Sequence, residues 1–222
     1  MDPKLFRKLS VPGDGSCFFH SLVTIFHIEK KGTIEPVPNI TKKSKDLRKK
    51  CVNWLQKNLN YKVLETGLSI RQEIEDTLMI ERRNANGDPK YTTVNEYLIY
   101  MKDTDGYAGQ IEIYAIAELY KRNIRVFNRK GNKLNNMGLG YELNNSGNDI
   151  FLFHNFKRKM SAGLHHFEPL ISKQLLKDKT VKRNPNKDTR RKDTRRKDTR
   201  RKDTRRKDTR RKDTRRKDTR RK

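Results

Sequence analysis

The chain has 222 residues and a formal net charge of +27, and 32% of its residues are hydrophobic. It contains no apolar run near the roughly 18 residues that indicate a membrane span, and its first residues lack the apolar stretch of a signal peptide. Its two cysteines do not form a disulfide framework. These features argue against a membrane-spanning or disulfide-stabilised protein, and we expect a reducing, intracellular compartment.

The positive charge is concentrated at the C-terminal end. From residue 187 the pentapeptide Lys-Asp-Thr-Arg-Arg occurs seven times, and a final lysine follows. Each repeat carries a net charge of +2, so the tail contributes +15 and the rest of the chain carries +12. A segment without apolar side chains cannot bury a core, which predicts disorder over 187–222 after a linker over 173–186. Residues 1–172 hold every aromatic residue and both cysteines, and we expect them to form one globular domain.

The basic tail has two interpretations. It can attract nucleic acid or another polyanion through its charge, and such binding would be non-specific and would weaken with added salt, because no aromatic residues interleave for base stacking. Alternatively, the repeat is a tolerated expansion that remains solvated. A run this basic is also compatible with nuclear import.

Hydrophobic spacing and turn residues predict the elements in chain order. A short strand is expected within 6–11, and helices are expected after Ser16, over 44–59, from Ser69, from Thr93 and over 110–121. Short buried strands follow at 124–127, 150–154 and 167–171, and the polar stretch 129–148 is a long loop or a hairpin. This order indicates an α/β (α+β) domain.

Cys17 is the first candidate functional residue. It follows the glycine-rich loop 12–15 and begins the first predicted helix, whose N-terminus would lower the pKa of the thiol. The loop can direct backbone N–H groups at one point, as an oxyanion hole requires. The alternative is a small buried hydrophobe, the commoner role of a single cysteine. Cys51 lies in an apolar helical face and is interpreted as structural.

A nucleophilic thiol needs a base from elsewhere in the chain. His20 and His27 lie on the same helix as the thiol and are interpreted as packing or surface residues. His154 ends a predicted strand and is a weaker candidate. His165 and His166 precede an apolar run, and strand alternation would direct only one of them at the thiol.

A metal site is not expected. The spacing Cys17-x-x-His20 suits two metal ligands, but the chain has neither a CxxC pair nor an HExxH helix. We therefore expect no metal and no cofactor.

Three segments of the chain form a set of motifs. Residues 12–21 read Pro-Gly-Asp-Gly-Ser-Cys-Phe-Phe-His-Ser, residues 107–113 read Tyr-Ala-Gly-Gln-Ile-Glu-Ile and lead to the strand 124–127, and residues 166–168 read His-Phe-Glu. In this order they resemble the nucleophile motif, the second signature and the histidine motif of the ovarian-tumour (OTU) family of deubiquitinating cysteine proteases. Together they span almost all of the predicted domain.

The resemblance implies a papain-like domain in which Cys17 attacks the carbonyl carbon of ubiquitin's terminal glycine. His166 would hold the thiolate as an ion pair and later protonate the leaving lysine amine. Backbone N–H groups around Asp14, Gly15 and Cys17 would stabilise the oxyanion. The orienting acid stays open between Asp14 and Glu168, because the family usually has Asp or Asn at the position of Glu168.

The expected function is thus a deubiquitinating cysteine protease acting on conjugates of ubiquitin or a ubiquitin-like modifier. The alternative is a non-catalytic, basic protein that binds ubiquitin or a polyanion on the same scaffold. We expect a cytoplasmic monomer, with nuclear entry through the tail as a further option. A compact domain with a low-complexity tail would also suit a viral or parasite protein acting in a host cytosol.

Overall fold

The computed structural model describes residues 2–84, 91–103, 106–143, 149–156 and 165–176. A short 3-10 turn, Pro3–Leu5, precedes the first strand. The described residues include the α-helices α1 (Cys17–Lys31), α2 (Ile40–Lys57), α3 (Ile70–Asn84), α4 (Val94–Asp103) and α5 (Gln110–Tyr120), and residues 173–176 are also helical. They also form five strands: β1 (Phe6–Lys8), β2 (Ile124–Lys130), β3 (Lys133–Tyr141), β4 (Ile150–Phe156) and β5 (His165–Ser172). The mixed α/β prediction is therefore confirmed.

The strands form one sheet in the order β1-β5-β4-β2-β3. Strands β2 and β4 are parallel, and the other neighbouring pairs are antiparallel. In the β4–β5 pair, His154 lies opposite Phe167 and Asn155 lies opposite His166. This register decides which side chains share a face at the start of β5.

The two faces of the sheet bury different clusters. The main core joins one face, including Phe167 and Ile171 of β5, to the apolar sides of the helices. A smaller cluster, which includes Phe153 and Leu170, covers the other face. Alternation along β5 thus separates Phe167 from Glu168, whose side chain lies with the smaller cluster.

Helix α1 is buried on almost every side of its first half, because β5 packs against one side and α2 against another. Ser21 Oγ donates a hydrogen bond to the Phe167 carbonyl at 3.0 Å, and His20 Nδ1 lies 2.7 Å from Ser44 Oγ of α2. The helix N-terminus is therefore fixed at the beginning of β5.

The predicted helix starts near residues 16, 69 and 109 are confirmed, and Ser69 and Gln72 form the expected reciprocal cap. Helix α2 begins at Ile40, four residues before the predicted start. Residues within 129–148 form β3, which pairs with β2, so the hairpin alternative is correct for the described part of this stretch.

The description of the chain ends at residue 176, where Leu175 and Leu176 pack against the main core. The rest of the predicted linker and the tail 187–222 lie outside the described residues, so the domain boundaries stay predictions. No helix within the described ranges has both the length and the apolar character needed to cross a membrane.

Candidate active site

Cys17 is the first residue of α1, and its side chain is only 1% exposed. Its Sγ accepts a hydrogen bond from the backbone N–H of Phe167 at 3.4 Å. The Phe167 ring packs edge to face against Phe18, with the ring centroids 5.4 Å apart. These contacts hold the thiol beside the His166–Phe167 peptide.

Opposing effects act on the pKa of the Cys17 thiol. Burial raises this pKa above its ordinary value, the backbone N–H groups of Phe167 and Phe18 lower it, and the carboxylate of Asp14 raises it again. The net direction is upward. The helix N-terminus lowers the pKa in the way the sequence indicated, but the desolvation of the buried thiol is the larger effect. A thiol in this state needs a neighbouring base to accept its proton.

His166 lies half-buried on β5, immediately before Phe167. Its Cε1 is 3.9 Å from the point where a Cβ on Gly13 would stand, so the imidazole borders the loop that precedes Cys17. The structure thus brings the predicted nucleophile and the predicted base to one corner of the fold. His154 is buried instead, and its ring packs against Phe167 with a centroid distance of 5.2 Å. The side chain of His165 lies outside the described part of the structure.

The carboxylate of Asp14 contacts the nucleophile loop and a side chain of α1. It accepts a hydrogen bond from the Ser16 backbone N–H at 2.8 Å and lies 3.1 Å from Nε2 of His20. His20 is fully buried, and its other ring nitrogen bonds to Ser44. His20 is therefore a packing residue with both nitrogens engaged. Within the described ranges, no three His, Cys, Asp or Glu side chains form a group that could hold a metal ion.

The second candidate acid, Glu168, forms an ion pair with Lys8 of β1, with 2.7 Å between Nζ and Oε2. The Lys8 ammonium also lies 4.8 Å from the centroid of the Phe153 ring. A different polar residue, Asn155, stands directly opposite His166. No local sequence pattern selects Asn155, because only the pairing of β4 with β5 places it there.

The backbone of the nucleophile loop is also hydrogen-bonded. The Cys17 N–H donates to the carbonyl of Asp14 at 3.1 Å. The carbonyl of Gly15 accepts a bond from Arg48 at 2.9 Å. The loop thus has a defined conformation in which the Cys17 amide is bonded within the loop itself.

Arg48 is a site residue that the sequence interpretation missed. It lies on α2, is 1% exposed, and donates to Gly15, Ser16, Met101 and Gly106. The available signal was an arginine inside an otherwise apolar helical face, since such a charge is rarely buried without partners.

The second motif segment is fixed close to these residues. Glu112 of α5 is fully buried, accepts a hydrogen bond from the Gly109 backbone N–H at 2.8 Å, and accepts another from the Tyr97 hydroxyl at 2.8 Å. Burial raises the pKa of Glu112, although both hydrogen bonds lower it. The cap closes the start of α5 and positions the short loop from Gly106 to Gly109.

The family model of the OTU-like cysteine proteases matches residues 12–167. Similar solved structures include the Hazara virus OTU bound to ubiquitin, with 16% identity, a TM-score of 0.45 and coverage of 75% of this chain and 81% of that one. An OTU deubiquitinase from Wolbachia pipientis wMel bound to ubiquitin has 19% identity, a TM-score of 0.43 and coverage of 78% of this chain and 99% of that one. No curated protein matches the chain. On the strength of the family match across most of its length, the chain belongs to the OTU-like cysteine proteases.

Proposed function

We propose that this protein is a deubiquitinating cysteine protease with Cys17 as its nucleophile and His166 as its general base and acid. One observation carries the proposal: the buried thiol at the start of α1 is held against the His166–Phe167 peptide by the Phe167 N–H. Family membership supports thiol-dependent proteolysis. The resemblance of the three motifs to the deubiquitinating family supports ubiquitin, or a ubiquitin-like modifier, as the substrate.

The reaction begins with transfer of the Cys17 proton to His166, since burial disfavours the free thiolate. The thiolate attacks the carbonyl carbon of the terminal glycine, and the resulting tetrahedral intermediate collapses as His166 returns the proton to the leaving lysine amine. Water, deprotonated by His166, then hydrolyses the thioester and regenerates the thiol.

Oxyanion stabilisation requires a change in the loop. The Cys17 N–H is directed at the Asp14 carbonyl, so it becomes available to an oxyanion when the Asp14–Gly15 peptide turns over. A glycine at position 15 would permit that rotation, because glycine tolerates backbone angles that other residues resist. Gly15 supports the proposal that the loop from Asp14 to Cys17 forms the oxyanion hole.

The proposal is tested by incubating the protein with ubiquitin that carries a C-terminal electrophile. We expect a single covalent adduct, mapped by peptide mass spectrometry to Cys17. Cys51 serves as the internal control, because burial raises the pKa of its thiol well above the ordinary value and its side chain lies on the buried face of α2. An adduct only with a ubiquitin-like modifier would change the substrate. A folded protein that reacts with none of these probes would favour the non-catalytic alternative.

The residue that orients His166 is proposed to be Asn155 rather than either acid. Directly opposed residues of an antiparallel pair share a face, and Asp14 and Glu168 have other partners. We expect Asn155→Ala to lower kcat about 10²-fold, the cost of a misplaced catalytic group. Asp14→Asn and Glu168→Gln serve as the matched comparisons and should have smaller effects. If either comparison lowers kcat more than Asn155→Ala with the fold intact, that acid is the orienting residue.

A further inference from the structure

We propose that Arg48 is a positioning residue. It fixes the Gly15–Ser16 peptide, shortly before the nucleophile Cys17, and connects it to the loop before α5. The inference rests on the proposed function and extends it to a residue outside the three motifs.

Hydrogen bonds from the Arg48 guanidinium join the nucleophile loop to the end of α4 and the loop that follows it. Nη2 donates to the Gly15 carbonyl at 2.9 Å and to Ser16 Oγ at 3.1 Å. Nη1 donates to the carbonyls of Gly106 at 2.8 Å and Met101 at 3.2 Å. The planar guanidinium suits such divergent acceptors because its donors have fixed directions.

The surroundings of Arg48 are those of a core residue. The side chain is 1% exposed, and its Cζ lies 4.6 Å from the centroid of the Phe19 ring. A buried charge costs free energy, and an apolar side chain of similar volume often stabilises a core equally well. Stability alone therefore gives little reason for an arginine here, whereas fixing the geometry of two irregular segments requires its donors.

The contacts assign a specific task to Arg48. It holds the carbonyl of Gly15, and the Asp14 carboxylate holds the N–H of Ser16, so the Gly15–Ser16 peptide is fixed on both sides. The neighbouring Asp14–Gly15 peptide is the one that must turn for the Cys17 N–H to reach an oxyanion. Arg48 thereby keeps the start of α1 in place while that peptide rotates.

The test compares Arg48→Met, which removes the donors at similar length, with Arg48→Lys, which keeps the charge. Arg125→Met is the matched control, since Arg125 forms ion pairs with Glu142 and Asp149 on another part of the sheet. For hydrolysis of a ubiquitin C-terminal amide we expect Arg48→Met to lower kcat about 10²-fold with KM nearly unchanged, as for the loss of an oxyanion contact. Alkylation of Cys17 by iodoacetamide, which forms no oxyanion, should change little. Arg48→Lys should be intermediate, and the control should retain kcat.

Three outcomes would overturn the inference. The first is that Arg48→Met retains the wild-type kcat. The second is that Arg48→Met loses hydrolysis and Cys17 alkylation to the same extent. The third is that both Arg48 variants unfold, which alkylation of the core residue Cys51 would reveal. Amide hydrogen exchange over residues 12–18 separates this inference from the proposed function. If the wild type does not hydrolyse ubiquitin, faster exchange of this segment in Arg48→Met, with α2 unchanged, would still support the positioning role, and unchanged exchange would overturn it.

Discussion

Replacing Cys17 by alanine is expected to abolish hydrolysis of ubiquitin conjugates, with a loss in kcat on the order of 10⁶-fold, as when the nucleophile of a protease is removed. The affinity for ubiquitin should be largely retained. The substitution removes one buried sulfur atom that accepts a hydrogen bond from the Phe167 N–H, so the fold should persist. Cleavage of ubiquitin chains gives the activity, and titration with ubiquitin gives the affinity.

Cys51→Ala is the matched control for this prediction. Both thiols are buried, but Cys51 lies within α2, and its Sγ is 3.8 Å from the carbonyl oxygen of Glu112. We expect Cys51→Ala to cost some stability through lost packing and to retain kcat. Cleavage by a folded Cys17→Ala protein would contradict the mechanism. A folded but inactive Cys51→Ala protein would contradict the structural role of that residue.

The helices were predictable from the sequence because each buries a face whose period is visible in the chain. The region of β3 left two alternatives open, since it is an edge strand with polar residues and two glycines at positive φ, Gly138 and Gly140. At Gly140 a Cβ would stand 2.5 Å from the carbonyl oxygen of Ile124, so the glycine permits close pairing with β2. This requirement for a glycine comes from the neighbouring strand β2, so it produces no alternating hydrophobic pattern in the sequence of β3 itself.

The site residues also differ in how far the sequence indicates them: some are marked by a local pattern, and others depend on contacts with segments distant in sequence. Cys17 was identifiable because its loop and helix are contiguous in sequence, and His166 was identifiable through a motif. The effect of burial on the Cys17 pKa depends on β5, which is about 150 residues further along the chain. The contacts of Arg48 and the pairing of Asn155 likewise depend on segments distant in sequence. The local pattern marks Arg48 only as an arginine in an apolar helical face, and it does not mark Asn155.

Replacing His166 by alanine is expected to lower kcat about 10³-fold, within the range found for general acid–base groups. It should also move the pH dependence of Cys17 alkylation to higher pH. Under the proposed mechanism His166 accepts the proton in the wild type, so thiolate would form below the pKa that burial alone would impose. In the variant the thiol retains a pKa raised by burial, and the rate should fall as the pH decreases through that value because less thiolate is present.

His154→Ala provides the comparison, because His154 is another candidate base and lies opposite Phe167. Its ring packs in the core, so the substitution should lower stability while the alkylation profile stays that of the wild type. A shifted profile in His154→Ala and an unchanged one in His166→Ala would make His154 the base. If neither profile moves, neither of these histidines activates Cys17, and the result would favour the non-catalytic alternative.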